Sequence, residues 1–130
     1  MNLSTPTSLT FLGTADAVPE AGRDVASFVV NGTHLVDMGW YSTAQMFRYG
    51  IDPLKIKTII LTHCHQDHYL GLPQFFFYWS QRWRPEMGAP SLTMIGPEDM
   101  LKVRGDLSSQ GHRAQGGGGL RRVREPAHTA

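Results

Sequence analysis

The sequence predicts an α/β fold, one mixed β-sheet with flanking helices, and three observations predict it. Short β-prone runs alternate with segments of helical spacing. An Asn31-Gly32 dipeptide separates two of those runs as a tight hairpin would. A nearly all-apolar run, Lys57–Leu61, reads as a strand buried on both faces and central in its sheet.

In chain order, Ser8–Gly13 alternates polar and apolar residues before a glycine and reads as the first strand. The loop Thr14–Asp24 follows, with Pro19 and Gly22. Val25–Val30 and His34–Asp37 form the predicted hairpin, because asparagine and glycine tolerate the positive φ angles its turn requires. Ser42 or Thr43 is placed to cap a short helix through Tyr49, stopped by Gly50 and by Pro53, which has no amide hydrogen to continue it. After Lys57–Leu61, the residues Leu72, Phe75, Phe76, Trp79 and Trp83 recur at helical spacing, and Pro73 is tolerated in the first turn. A strand at Leu92–Ile95 and a short helix from Pro97 to about Val103 complete the order β-β-β-α-β-α-β-α.

Composition bounds what this fold can do. The chain has 130 residues, 41% of them hydrophobic, so it is a single globular unit by length and can bury a core. Residues 1–107 carry eight basic and ten acidic side chains, whereas residues 108–130 carry four arginines against Glu125, which together give the formal charge of +1. The body therefore lacks the basic balance of a protein that grips nucleic acid through phosphates. The domain reading is a patterned body over residues 1–107 and a glycine- and arginine-rich tail over 108–130, expected to be disordered. Such an abrupt loss of pattern is also what a truncated or shifted reading frame would produce. No apolar run is long enough to span a bilayer and Met1–Ser8 does not resemble a signal peptide, so a cytoplasmic protein without membrane contact is expected. One cysteine, Cys64, excludes an internal disulfide and a cysteine-rich zinc ribbon.

Any metal site must then be made of imidazole and carboxylate, and one stretch offers both. In Thr62–Pro73, three imidazoles and a carboxylate fall within six residues: His63, His65, Asp67 and His68. In extended backbone His63, His65 and Asp67 would face one side of the strand end, and His68 joins them only if the chain bends into a helix there. His63 and His65 suit one ion, and Asp67 with His68 a second about 3.5–4 Å away, bridged by hydroxide. Asp67 is also the candidate catalytic residue, orienting that nucleophile or moving its proton. The donors point to two divalent ions, zinc first, with manganese or iron accepted by the same groups.

The pattern His63-x-His65-x-Asp67-His68 resembles the signature of the metallo-β-lactamase superfamily. Leu12-Gly13-Thr14 with Pro19, Leu35–Gly39, Leu61–Pro73 and Ile95-Gly96-Pro97 resemble, in that order, its ribonuclease Z-like branch. The resemblance covers residues 8–100 and implies the amino-terminal half of an αββα sandwich. Asp37-Met38-Gly39-Trp40 departs from the branch, which has Asp-x-Gly-Glu there, and the first loop has fewer glycines than ribonuclease Z. The resemblance further implies a metal-dependent hydrolase of phosphodiester or related ester bonds, on a small substrate or on RNA, with a tRNA 3′-processing endonuclease as an alternative. It implies three more ligands from chain beyond residue 100, and neither His112 nor His128 is identified as one.

Two ligands per ion seldom hold a metal tightly, so the isolated chain is expected to be nearly inactive: a remnant, or a half-domain completed by a partner chain or by self-association through an exposed sheet face. Asp37 is assigned either to orienting a ligand by a hydrogen bond or to forming a turn before Gly39. Cys64 alternates with the ligands and is expected to be a buried, inert thiol. His34 is read as a solvated strand residue. Of Phe75, Phe76, Phe77, Tyr78, Trp79 and Trp83, most are read as helix core rather than as base-stacking platforms.

Overall fold

A computed structural model describes residues 4–99 and the backbone of residues 121–122. The strands are β1 (Leu9–Ala15), β2 (Asp24–Val25), β3 (Ser27–Val30), β4 (His34–Val36), β5 (Thr58–Ile60), β6 (Thr93–Ile95) and β7 (Arg121–Arg122). They form one mixed sheet in the order β2-β1-β3-β4-β5-β6-β7. β1, β3 and β4 are antiparallel neighbours, whereas β4, β5, β6 and β7 run parallel. The helices are α1 (Ser42–Arg48) and α2 (Leu72–Arg82).

The β3–β4 turn has positive φ at Asn31 (51°) and Gly32 (69°), as that dipeptide permits. The Asn31 side chain accepts from the Ser8 amide and its own amide donates to the Ser8 carbonyl, which anchors the start of β1. The predicted strand Val25–Val30 is divided, because the ladder with β1 shifts register around Gly13. A Cβ at Gly13 would run into the carbonyl oxygens of Asp24 and Val25, so the crossing requires a glycine.

Neither Ser42 nor Thr43 caps α1. The cap position is Tyr41, with no side-chain cap bond, and Ser42 is the first helical residue, its hydroxyl turned to the Gly39 carbonyl at 3.4 Å. The carboxyl end closes as a Schellman motif: Gly50, at φ 73°, donates to Phe47 O and Ile51 donates to Met46 O. α2 starts with Pro73 in its first turn, where no intrahelical acceptor is lost. Trp83 lies just past the helix, yet its ring stacks on Trp79 at 4.6 Å and 12°.

One face of the sheet is covered. Leu12, Val29, Leu35, Ile59 and Met94 meet Met46, Leu72, Phe75, Phe76 and Trp79 of the helices in a single core. Trp79 buries its indole because Nε1 donates to the Pro53 carbonyl at 2.9 Å. Phe77 points outward and is exposed. The other face is not covered by any described residue: Leu9, Phe11 and Ile95 are exposed, and Phe28, Val30, Val36 and Ile60 are half-buried. The central strand is therefore buried on one face rather than both. β5 does lie inside the sheet, but its alternation leaves Thr58 and Ile60 on the open side.

The helix expected from Pro97 begins at Glu98 and Asp99, and its continuation lies outside the described residues. Of the expected disordered tail, Arg121–Arg122 pair with β6, and the rest lies outside the described residues, His112 and His128 included. Among the described residues no helix is long and apolar enough to cross a membrane.

Candidate metal centre

The site lies where parallel strands end. β4 and β5 are adjacent, with Val36 paired to Ile60, so the residues that follow them emerge side by side. This is the edge at which open parallel sheets place their ligand-binding loops. The backbone ties the loops together: Asp37 N donates to Ile60 O, Met38 N to His68 O, and Gly71 N to Met38 O. A Cβ on Gly71 would meet the Gly39 carbonyl and the Met38 side chain, so a glycine allows the loops to touch.

After Ile60 the chain leaves the strand and makes a single 3₁₀ turn at Gln66–His68. The expected bend is present but starts at Gln66, before Asp67 rather than after it, and it brings His68 back to His63. The ring centroids of His63 and His68 lie 4.0 Å apart, and those of His63 and His65 4.6 Å apart. His63 Nε2 is 3.1 Å from His65 Nδ1, and His68 Nε2 is 3.0 Å from Asp67 Oδ2. His63, Asp67 and His68 are half-buried, and His65 is exposed.

Asp37 stands behind this cluster. It is 7% exposed and takes φ 55°, in the left-handed region that few residues other than glycine, asparagine and aspartate adopt. Its Oδ1 accepts from the Thr62 amide at 2.8 Å, and its Oδ2 from the Thr62 hydroxyl at 2.8 Å. The same Oδ2 lies 2.8 Å from His68 Nδ1. Asp37 thus sits at the turn before Gly39 and also holds an imidazole. Its backbone carbonyl accepts from the buried Ser27 hydroxyl at 2.9 Å, which fixes the turn to β3.

Counting protons shows what the cluster needs. A carboxylate only accepts, so the His68 nitrogen that faces Asp37 carries the hydrogen. The neutral ring then has a bare Nε2, and that nitrogen points at another acceptor, Asp67 Oδ2. Two lone pairs facing each other at 3.0 Å require a positive centre, either an imidazolium proton or a cation.

The donor spacing fits an ion as well. Two ligand atoms on one tetrahedral zinc, at about 2.0–2.1 Å each, lie roughly 3.3–3.4 Å apart. The two pairs, at 3.1 and 3.0 Å, are within a few tenths of that. Each pair therefore fits half a coordination shell. Among the described residues, no group of three or more His, Cys, Asp or Glu side chains is arranged to hold an ion.

Two residues escaped the sequence reading. Thr62 precedes the histidine pattern directly, and that adjacency was its only signal. Asp24 is 2% exposed; its Oδ1 accepts from Val25 N and its Oδ2 from Tyr41 N, both at 2.8 Å, so it joins β2 to the start of α1. Cys64 is half-buried and packs against the core, and His34 is half-buried in β4.

A strand-end histidine and aspartate cluster on a mixed sheet, with helices on one face, defines a class of fold and site that comparison with known proteins places. The chain belongs to the metallo-beta-lactamase superfamily, whose family model matches residues 21–129. Within it, the sequence is similar to ribonuclease Z of Pyrococcus abyssi, 35% identical over 110 residues that take in 80% of this chain and 34% of that protein. Ribonuclease Z of Pyrococcus furiosus is 34% identical, over 82% of this chain and 34% of that protein. Among solved structures, human tRNase Z, short form, superposes with a TM-score of 0.68 at 27% identity, over 80% of this chain and 39% of that one. A metallo-beta-lactamase fold protein of Bacillus subtilis superposes with a TM-score of 0.67 at 18% identity, over 92% of this chain and 45% of that one, which shows the fold alone. The chain spans about a third of the length of the curated relatives it matches.

Proposed function

We propose that this chain carries the amino-terminal half of the ion-binding site of a metal-dependent hydrolase that cleaves phosphodiester bonds. RNA is the substrate class that the ribonuclease Z relatives favour. The observation that carries the reading is the face-to-face pair His68 Nε2 and Asp67 Oδ2, with His68 Nδ1 already committed to Asp37. Such a pair has room for a positive centre between its two atoms, and in this reading a metal ion takes the place that an imidazolium proton fills without it.

In this reading His63 and His65 hold one divalent ion and Asp67 with His68 a second, zinc being the first choice and manganese or iron acceptable to the same donors. When bound, the ions supply an acidified water at neutral pH and charge to balance a developing oxyanion. The remaining work belongs to the protein. Asp37 holds His68 so that its free nitrogen faces Asp67, and Asp67 is placed to hold or move a proton.

Each ion has two donors from the described residues, fewer than the three or four that a working site uses. This favours a half-domain that is completed by further polypeptide, and the open apolar face of the sheet supplies the surface on which a second layer, a partner chain or another copy, would pack. The test loads the purified chain with zinc and follows cleavage of a chromogenic phosphodiester and of a precursor tRNA with a 3′ extension. A His63→Ala, His65→Ala double variant and a chelator serve as controls. Metal-dependent cleavage that both controls abolish supports the catalytic reading for the chain as it stands. Retained metal without cleavage supports the half-site, whereas metal retention no better than the control's would sink both.

A further inference from the structure

Thr62 is exposed, so nothing in the apolar core calls for a threonine there. It nonetheless makes three hydrogen bonds inside the cluster. Its amide and its hydroxyl reach the two oxygens of Asp37, each at 2.8 Å, and the same hydroxyl lies 2.9 Å from His63 Nδ1.

A hydroxyl has one proton. The carboxylate has none to give, so that proton goes to Asp37 Oδ2, and the contact with His63 must be an Nδ1–H donating to Thr62 Oγ1. Oδ2 also accepts the Nδ1–H of His68. The chain of bonds runs from His63 to Thr62 to Asp37, where it meets the bond from His68. Each ring has its hydrogen drawn to Nδ1 and its Nε2 left bare. Without a partner at Nδ1, the proton of a neutral imidazole is free to move to Nε2 and block it.

We propose that Thr62 is the positioning residue that sets His63 in the tautomer that Asp37 imposes on His68, and so couples the two donor pairs into one unit. Its purpose rests on the metal-site reading above, but its geometry does not. The two pairs are then not independent: a change at Asp37 reaches His63, which Asp37 does not touch, through the threonine hydroxyl.

The test reads imidazole tautomers directly, by long-range proton–nitrogen correlation spectra of the metal-free chain with labelled histidine, at mildly alkaline pH. In the unmodified chain both His63 and His68 are expected as Nδ1–H. Thr62→Val keeps the amide bond to Asp37 and loses only the hydroxyl, so His63 should shift toward Nε2–H while His68 stays. Thr62→Ser should restore His63. Asp37→Asn should switch both rings, because an amide nitrogen at the Oδ2 position donates to Thr62 and turns the hydroxyl proton toward His63.

A zinc titration of the same samples should show affinity about 10–100-fold weaker in Thr62→Val and close to the unmodified value in Thr62→Ser. An unshifted His63 in folded Thr62→Val, or a Thr62→Ser that behaves like the valine variant, would overturn the proposal. Should Thr62→Val fail to fold, His63 in Asp37→Asn decides, and an unswitched ring there overturns it too. If the tautomers shift as expected while the unmodified chain binds no zinc, the coupling stands and the metal-site reading falls.

Discussion

Asp24 and Asp37 are both buried carboxylates at strand ends, each with both oxygens engaged, and their partners differ in kind. Asp24 accepts from two backbone amides, Val25 and Tyr41. Asp37 accepts from one amide, one hydroxyl and one imidazole. Amides on the main chain have nowhere else to donate once buried, so Asp24 serves the fold. Hydroxyl and imidazole groups have protons that can sit in more than one place, and Asp37 decides where. The difference teaches that burial of a carboxylate does not mark a functional residue. What marks it is a partner whose protonation pattern it controls.

The comparison is tested hardest at Asp24. Asp24→Ala leaves one buried and one partly buried amide without acceptors and should destabilise the chain by about 2 kcal/mol in urea unfolding. The variant that remains folded should bind zinc as the unmodified chain does. Weakened zinc binding there, with the fold intact, would put Asp24 in the site and undo the distinction.

Asp37→Ala should show the opposite balance. Zinc affinity should fall about 10–100-fold, or roughly 1.4–2.7 kcal/mol, by isothermal titration. Its cost to stability should be smaller than that of Asp24→Ala, since the Thr62 end of its network is exposed to water. Loss of the fold with no change in zinc affinity among the survivors would reverse the roles assigned to the two residues.

Gly71→Ala sharpens the picture by moving the histidine loop while leaving both carboxylates in place. Its backbone is ordinary right-handed helical, so only space is at issue, and the added Cβ meets the Gly39 carbonyl and Met38. Strain of roughly 1–2 kcal/mol is expected as a lower melting temperature, together with weaker zinc binding. An unchanged affinity would mean that the contact between the loops does not position the cluster.

The smallest effect on stability belongs to the open face. Phe11→Ser should alter it by no more than about 0.5 kcal/mol in the monomer, because Phe11 is already 55% exposed. Its effect should appear in association: the unmodified chain is expected to elute from gel filtration as an oligomer or aggregate, and the variant to shift toward monomer. A monomeric unmodified chain would remove the open face as an association surface.

How much of this was legible beforehand depended on the range of the signal. The hairpin was read from Asn31-Gly32 and the stop of α1 from Gly50, because backbone dihedral limits are properties of single residues. The core face of α2 was legible from the spacing of Leu72, Phe75, Phe76 and Trp79, and Phe77 fell outside it as the same period requires. The cap of α1 was misread, because Ser42 has a hydrophilic side chain suited to a cap and the fold spends it on the Gly39 carbonyl instead. Burial of β5 on both faces was misread for a related reason. An apolar run shows that a strand is fit to be buried, and only the helices' placement decides which face is.

For the site, the sequence by itself determined which donor atoms are available, how closely they are spaced along the chain, and that they follow a strand. Those are local facts, set by residue identity and by the short reach of the backbone. Only the tertiary structure decided that β4 lies beside β5, and hence that Asp37, 31 residues from His68, becomes its hydrogen-bond partner. Only it decided that Thr62 stands between Asp37 and His63. Strand order and the aim of each polar hydrogen depend on contacts between segments far apart in the chain, and no local pattern carries that information.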